Sequence, residues 1–269
     1  MRKDFIPKNV DLWISNWKRP EPLNRTIRSW LTSFNFEVVN VVANHSSITM
    51  SSIDKDLKTK VKIWPNMLRH DKAIGPQAVL YNQMYLHTFL AGKNYCIHAH
   101  DNMEINPDWV QKVVDTDYDL YIGPQGDQVV LMTKQGLKTF GWWDQRYSTN
   151  GHHELDYISR ALHKSKIKGI GKASLCDLHP HWDLDGSGRR ILSYNSVGLE
   201  TSWSRMSHGA APQVSSHQVI YDRLGWQKEK WAGASFPWID GYQTSYKGIT
   251  QGSNKPEIDW YPWLDLENL

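Results

Sequence analysis

The chain has 269 residues, 40% hydrophobic and 22% charged, with a net charge of +3 and a pI near 8.7. It is long enough to bury a substantial core, and its charge is too mild, with no run of like charges, to argue for nucleic acid as a partner. Cys96 and Cys176 form no CxxC pair, the N-terminus lacks the apolar run of a signal peptide, and no stretch of about 18 apolar residues could span a bilayer, so the expectation is a soluble, cytoplasmic protein with no membrane span.

In chain order, residues 10–15 (VDLWIS) read as a strand and 16–22 as a loop. Residues 23–34 place Leu23, Ile27, Trp30, Leu31 and Phe34 at helical spacing. Residues 36–43 (FEVVNVVA) read as a buried strand that ends at Asn44-His45-Ser46-Ser47. A short strand over 60–64 and a loop over 65–76 follow. The spacing predicts a helix over 77–91, with its apolar stripe at Val79, Leu80, Met84, Leu86 and Leu90. Residues 95–97 form a short apolar strand that breaks into His98, His100, Asp101 and Asn102, and Asn106-Pro107 marks a turn. Next come a short helix at 109–114, strands at 120–122 and 128–133 around the turn 123–126, a helix at 134–140 ending at Gly141, and a helix at 153–163. Strands alternating with helices suggest a parallel, layered α/β sheet.

After Cys176 the character changes. Gly, Ser, Trp and Pro dominate, and only residues 215–224 read as helical. The predicted organisation is a core over residues 1–190 and an irregular, Trp-rich extension over 191–269, packed on the core with a possible acceptor-site contribution. The chain has 14 Trp; exposed Trp faces stack on sugars or bases, while buried ones fill cores.

A strand ending in His98, His100, Asp101 and Asn102 puts metal-capable side chains at the carboxyl edge of a sheet, where open α/β sheets bind ligands. Asp101 is the foremost candidate. Two rival readings use the same features. One is a metal-dependent hydrolase built on His98, His100 and Asp101, against which Asn102 and Met103 stand where an HxHxDH site would need its Asp and final His. The other is a non-catalytic carbohydrate-binding protein.

Five segments taken together resemble the GT-A fold of the large inverting group of nucleotide-sugar transferases, similar to glycosyltransferase family 2. In WKRPEPLNRTIRSWL and the residue before it, Asn16, Arg19, Pro20, Leu23, Ser29 and Leu31 fit the family's opening loop and helix. VVANHSS matches at Asn44 and Ser46, with Ala43 where an Asp is usual. IGPQAVLYN carries Gly75 and Asn82 of a segment beside the donor. CIHAHDNMEINPDWV resembles the strand ending in Asp-x-Asp, and the motif falls on His100, Asp101 and Asn102. GWWDQRYSTNGHHELDYISRA resembles the acceptor segment through Gly141, Trp143, Asp144, Glu154, Asp156 and Arg160, with His153 replacing the leading acid.

The resemblance implies a mixed sheet flanked by helices and transfer of a sugar from a UDP- or GDP-sugar to a glycan or glycoconjugate hydroxyl, with inversion. It implies Ser15, Asn16, Arg19, Asn44, Ser46, Gly75, Asn82 and His100 around the donor, and Trp142, Trp143 and Asp144 at the acceptor. A Mn²⁺ or Mg²⁺ ion would be held by Asp101 and Asn102, with His181 (or His179) from the turn after the last core strand. Glu154 would be the general base, with Asp156 beside it; that acid also has an ordinary helix partner in Arg160.

Overall fold

In a computed structural model the described residues are 2–66, 77–123, 126–143 and 169–175, with isolated positions at 145, 157, 161, 164, 165, 261 and 264. They form one seven-stranded sheet: β1 (Val10–Asn16), β2 (Val39–Ala43), β3 (Val61–Pro65), β4 (Tyr95–His100), β5 (Leu120–Gly123), β6 (Gly126–Thr133) and β7 (Ala173–Leu175). The order is β3-β2-β1-β4-β6-β5-β7. Strands β1 to β4 run parallel, β6 runs antiparallel to both β4 and β5, and β7 is parallel to β5. The sheet is therefore mixed rather than wholly parallel. Only two residues separate β5 from β6, and only an antiparallel pair can be joined over so short a span. By topology this is the GT-A-type α/β arrangement that the resemblance implies.

Helix α1 (Pro20–Ser33) starts before the expected 23 because Pro20 suits a first helical position, where its missing N–H costs nothing. Its buried positions include Leu23, Ile27 and Trp30, and Trp30 meets Trp109 edge-on at 5.3 Å between ring centroids. Trp109 opens α3 (Trp109–Asp115), so α1 and α3 cover one face of the sheet with Leu12, Ile14, Val39 and Val41 beneath them. Strand β2 begins only at Val39. Phe36 turns inward instead and is fully buried against Trp30.

The opposite face is covered by α2 (Gln77–Leu90) and α4 (Lys134–Phe140). Here the predicted stripe is misplaced: Leu90 is 54% exposed, whereas Ala78, Tyr81, Asn82, Tyr85, Thr88 and Phe89 are buried beside Leu80 and Met84. The polar side chains on this face carry their hydrogen bonds inside with them. Trp13 Nε1 donates to Thr88 Oγ1 at 3.0 Å, and that hydroxyl donates to Asp11 at 3.0 Å. Helix α4 stops at Gly141, whose φ of 76° is a left-handed conformation that glycine adopts without strain.

Tyr157 and Ala161 are helical and buried, within the helix expected over 153–163. The rest of that helix, the helix expected at 215–224 and the extension over 191–269, apart from positions 261 and 264, lie outside the described residues. No helix among the described residues is long and apolar enough to cross a membrane.

Candidate functional site

The chain leaves β1 over one face through α1 and enters β4 from the other face through α2. Crossovers on opposite faces leave a crevice between β1 and β4 at their carboxyl ends, the topological switch point where open α/β sheets take ligands. In register, Ser15 pairs with His100 and Asn16 with Ala43 of β2. Three strand ends therefore meet at one place.

Asp101 sits at that junction, 1% exposed. Its backbone N–H donates to Ser15 O at 3.0 Å, and its backbone O accepts from the Thr26 hydroxyl at 2.9 Å. Its carboxylate is held by the first loop. Oδ2 accepts from Asn16 Nδ2 at 2.6 Å, from the Trp17 backbone N–H at 3.2 Å and from Arg19 Nε at 3.3 Å, while Oδ1 accepts from Arg19 Nη2. Burial pushes the Asp101 carboxyl above the ordinary carboxylate range, and the Arg19 guanidinium pulls in the other direction.

The loop is shaped to make this contact. Lys18 takes a left-handed φ of 58°, unusual for a side-chain-bearing residue. Asn16 Nδ2 also donates to Arg19 O at 2.9 Å, so one amide ties the carboxylate and the loop together. Trp17 packs edge-on to His45 at 5.3 Å, linking the ends of β1 and β2. Asn44 is buried; its N–H donates to Asn16 O at 3.0 Å and its Oδ1 accepts from Asn66 at 2.8 Å. Ser15 is half-buried and Ser46 exposed. Asn16 Oδ1 and Asn102 Oδ1 are buried acceptors with no partner among the described residues.

The structure thus brings Ser15, Asn16, Arg19, Asn44 and Asp101 together. Several other expectations need correction. His98 lies within β4, not in a loop after it. Its ring stacks on Tyr81 at 4.1 Å and 6°, on the α2 face, whereas Asp101 is bound by the β1–α1 loop. His100 Nε2 is 3.2 Å from the Tyr81 hydroxyl on that same α2 face. No group of three His, Cys, Asp or Glu residues among the described residues could hold a metal, so the hydrolase cluster is not assembled there.

Asn82 was expected beside the donor. It is fully buried, with Nδ2 donating to Trp143 O at 2.8 Å and Oδ1 accepting the Trp143 N–H at 2.9 Å, so the backbone of Trp143 occupies it. Trp143 has no exposed ring to offer an acceptor: it stacks on Tyr157 at 4.2 Å and donates to the Tyr85 hydroxyl at 3.1 Å. Trp142 is 5% exposed and lies against Tyr261. Both tryptophans are core residues here, because the α2 face is built from aromatic rings. Gly75, Asp144, Glu154, Asp156, His179 and His181 lie outside the described residues.

Sequence reasoning missed two contributors, the Trp17 backbone N–H and the Thr26 hydroxyl. A polar residue among the apolar positions of a buried helix face, as Thr26 is in α1, was the available signal. A cleft of about 420 Å³ beside α2 is lined by Trp13, Trp64, Met84 and His87 among others, and none of the residues bound to Asp101 lines it.

No family model and no curated protein matches this chain. Among solved structures, its fold is similar to a candidate nucleotide-diphospho-sugar transferase from Desulfovibrio desulfuricans, at 13% identity over 76% of this chain and 96% of that one, with a TM-score of 0.39. It is also similar to a mannosyltransferase from Pyrobaculum calidifontis in complex with GDP-Man and Mn²⁺, at 8% identity over 90% and 84%, with a TM-score of 0.44. A cytidylyltransferase from Leptospira borgpetersenii has 12% identity over 93% and 99%, with a TM-score of 0.42.

Proposed function

We propose that the chain is a glycosyltransferase that moves a sugar from a nucleotide-diphosphate sugar to a hydroxyl acceptor with inversion. The observation that carries this reading is the convergence of Asn16, Arg19, Asn44 and Asp101 at the switch point between β1 and β4. A donor there meets a guanidinium for its diphosphate and a buried amide oxygen, Asn16 Oδ1, for a donor N–H or hydroxyl. In the reaction, the acceptor hydroxyl oxygen bonds to the anomeric carbon as the bond to the diphosphate oxygen breaks. The diphosphate leaves with the electron pair. Glu154 takes the acceptor proton, and Asp156 and Asp144 are the next carboxylates to test in that role.

A divalent cation is the group that the resemblance would add at Asp101. The described residues fit it poorly: the one carboxylate of the motif is engaged through both oxygens, and the amide oxygens of Asn16 and Asn102 bring no charge.

A thermal-shift panel of UDP-, GDP-, dTDP- and CMP-sugars, each with EDTA or MnCl₂, tests the reading, since a ligand bound only by the folded state raises apparent stability. A UDP- or GDP-sugar is expected to raise Tm. With that donor, Glu154→Gln should lower kcat by about 10²- to 10⁴-fold and leave donor affinity nearly unchanged. A panel without any shift would overturn the proposal, and a product of retained configuration would overturn the inverting step.

A further inference from the structure

We infer that Arg19, clamped by Asp101, takes the place of a divalent cation at the leaving diphosphate, so that Asp101 is a positioning residue rather than a metal ligand. This rests on the proposed transferase reading.

The argument begins with how the guanidinium is used. Arginine has five N–H groups in a rigid plane. Arg19 spends Nε and Nη2 on the two oxygens of Asp101, and Nη1, with two N–H groups, has no partner among the described residues. Asp101's side chain is 2% exposed and Arg19's 18%, so the anionic end of the pair is sealed and the cationic end reaches solvent. The pair stands at the switch-point crevice, where the parallel strand ends face a ligand.

Charge and geometry point the same way. A metal on Asp101 would have to displace Arg19, leaving a dication and a guanidinium in one buried place with a single carboxylate to offset three positive charges. Arg19 already offsets the carboxylate and needs no recruitment. Its plane suits the paired oxygens of a diphosphate. Lys18's left-handed turn and the bond from Asn16 Nδ2 to Arg19 O hold the loop before any ligand arrives, so no reorganisation accompanies charge development. His100 in place of the motif's first Asp completes the departure: the site has lost the second carboxylate that would balance a metal.

The test titrates the full chain with inorganic pyrophosphate by calorimetry, in EDTA and in MnCl₂. Wild type should bind pyrophosphate in EDTA. Arg19→Lys keeps one cation for Asp101 but has no second nitrogen, so it should fold with a Tm near wild type yet bind pyrophosphate on the order of ten- to a hundredfold more weakly. A purely structural Arg19 would leave pyrophosphate binding unchanged in that variant. Asp101→Asn should also weaken binding by releasing the guanidinium. Binding of pyrophosphate only with MnCl₂, or wild-type binding by Arg19→Lys, overturns the inference. If a nucleotide sugar binds only with MnCl₂, the transferase reading stands and the role of Arg19 falls. If neither pyrophosphate nor any sugar nucleotide binds under either condition, both fall.

Discussion

The two faces of the sheet are built by different rules. Under α1 and α3 the buried side chains are mostly hydrocarbon and indole: Leu12, Ile14, Leu23, Ile27, Trp30, Val39, Trp109 and Val113. Under α2 and α4 the rings carry polar tips, and buried polar groups sit among them: Tyr81, Tyr85, His98, Asn82, Thr88 and Asp11. The first face is held by area removed from water, which is tolerant of direction. The second is held by hydrogen bonds that work at only one geometry, so it fixes where β4 and the segment at Trp143 stand. A helix over the first face can be found by counting apolar residues. Over the second, α2 itself can be found that way, but not which of its sides is buried.

Removing packing from the first face should have the largest effect. Trp30→Ala deletes a fully buried indole that also donates to Met103 O at 2.9 Å, and it should cost about 3–5 kcal/mol in urea unfolding at constant m-value. A loss well below that would mean the α1 face can collapse around the cavity. On the second face, Asn82→Ala removes no comparable volume but strands the Trp143 N–H and carbonyl away from water, at about 1–3 kcal/mol for a buried group left unpaired. Near-UV circular dichroism should report the disturbance at Trp143 in the Asn82 variant, which retains every tryptophan. An unchanged near-UV spectrum in Asn82→Ala would erase the distinction between the faces.

The same contrast explains what was legible in the sequence. The strands over residues 10–15 and 60–64 and the helix over 134–140 were found within a residue or two, because apolar runs and turn residues mark them locally. Helix α1 was found by its apolar face, with Pro20 moving its start. The junction of Asn16, Arg19, Asn44 and Asp101 was also within reach, since each ends or follows a strand. What could not be read was the direction of side chains with two characters. Tyr81, Asn82 and Tyr85 look surface-compatible by composition, and Leu90 looks buried, yet hydrogen bonding draws the first three inward and leaves Leu90 outside. Trp143 fits an acceptor platform by position. Partners from other elements, among them Asn82, Tyr85 and Tyr157, make it core. Nor could the Arg19–Asp101 pair be seen, because an acid at a strand end looks the same whether it awaits a metal or an arginine 82 residues upstream.

The smallest expected effect lies at the amino edge of the first face, where Tyr95 is its polar rim. Its ring packs edge-on against Phe5 at 4.9 Å, and its hydroxyl donates to Asp4 Oδ1 at 2.7 Å. Burial first, and then the bond to Asp4, push the Tyr95 hydroxyl up to about 12. In the unfolded chain the same hydroxyl ionises near pH 10. Between those values the folded state keeps a proton that the unfolded state has released, so stability must fall as pH rises from about 10 to about 12. Below pH 10 both states are protonated and the group adds no pH dependence. Tyr95→Phe keeps the ring contact and removes the proton, so its stability should decline less steeply than wild type over that window and run parallel to it at neutral pH. Urea midpoints at closely spaced alkaline pH values would show the difference. Parallel curves throughout would mean that Tyr95 ionises as readily in the folded protein as in the unfolded one, and that the rim of this face does not keep water from its hydroxyl.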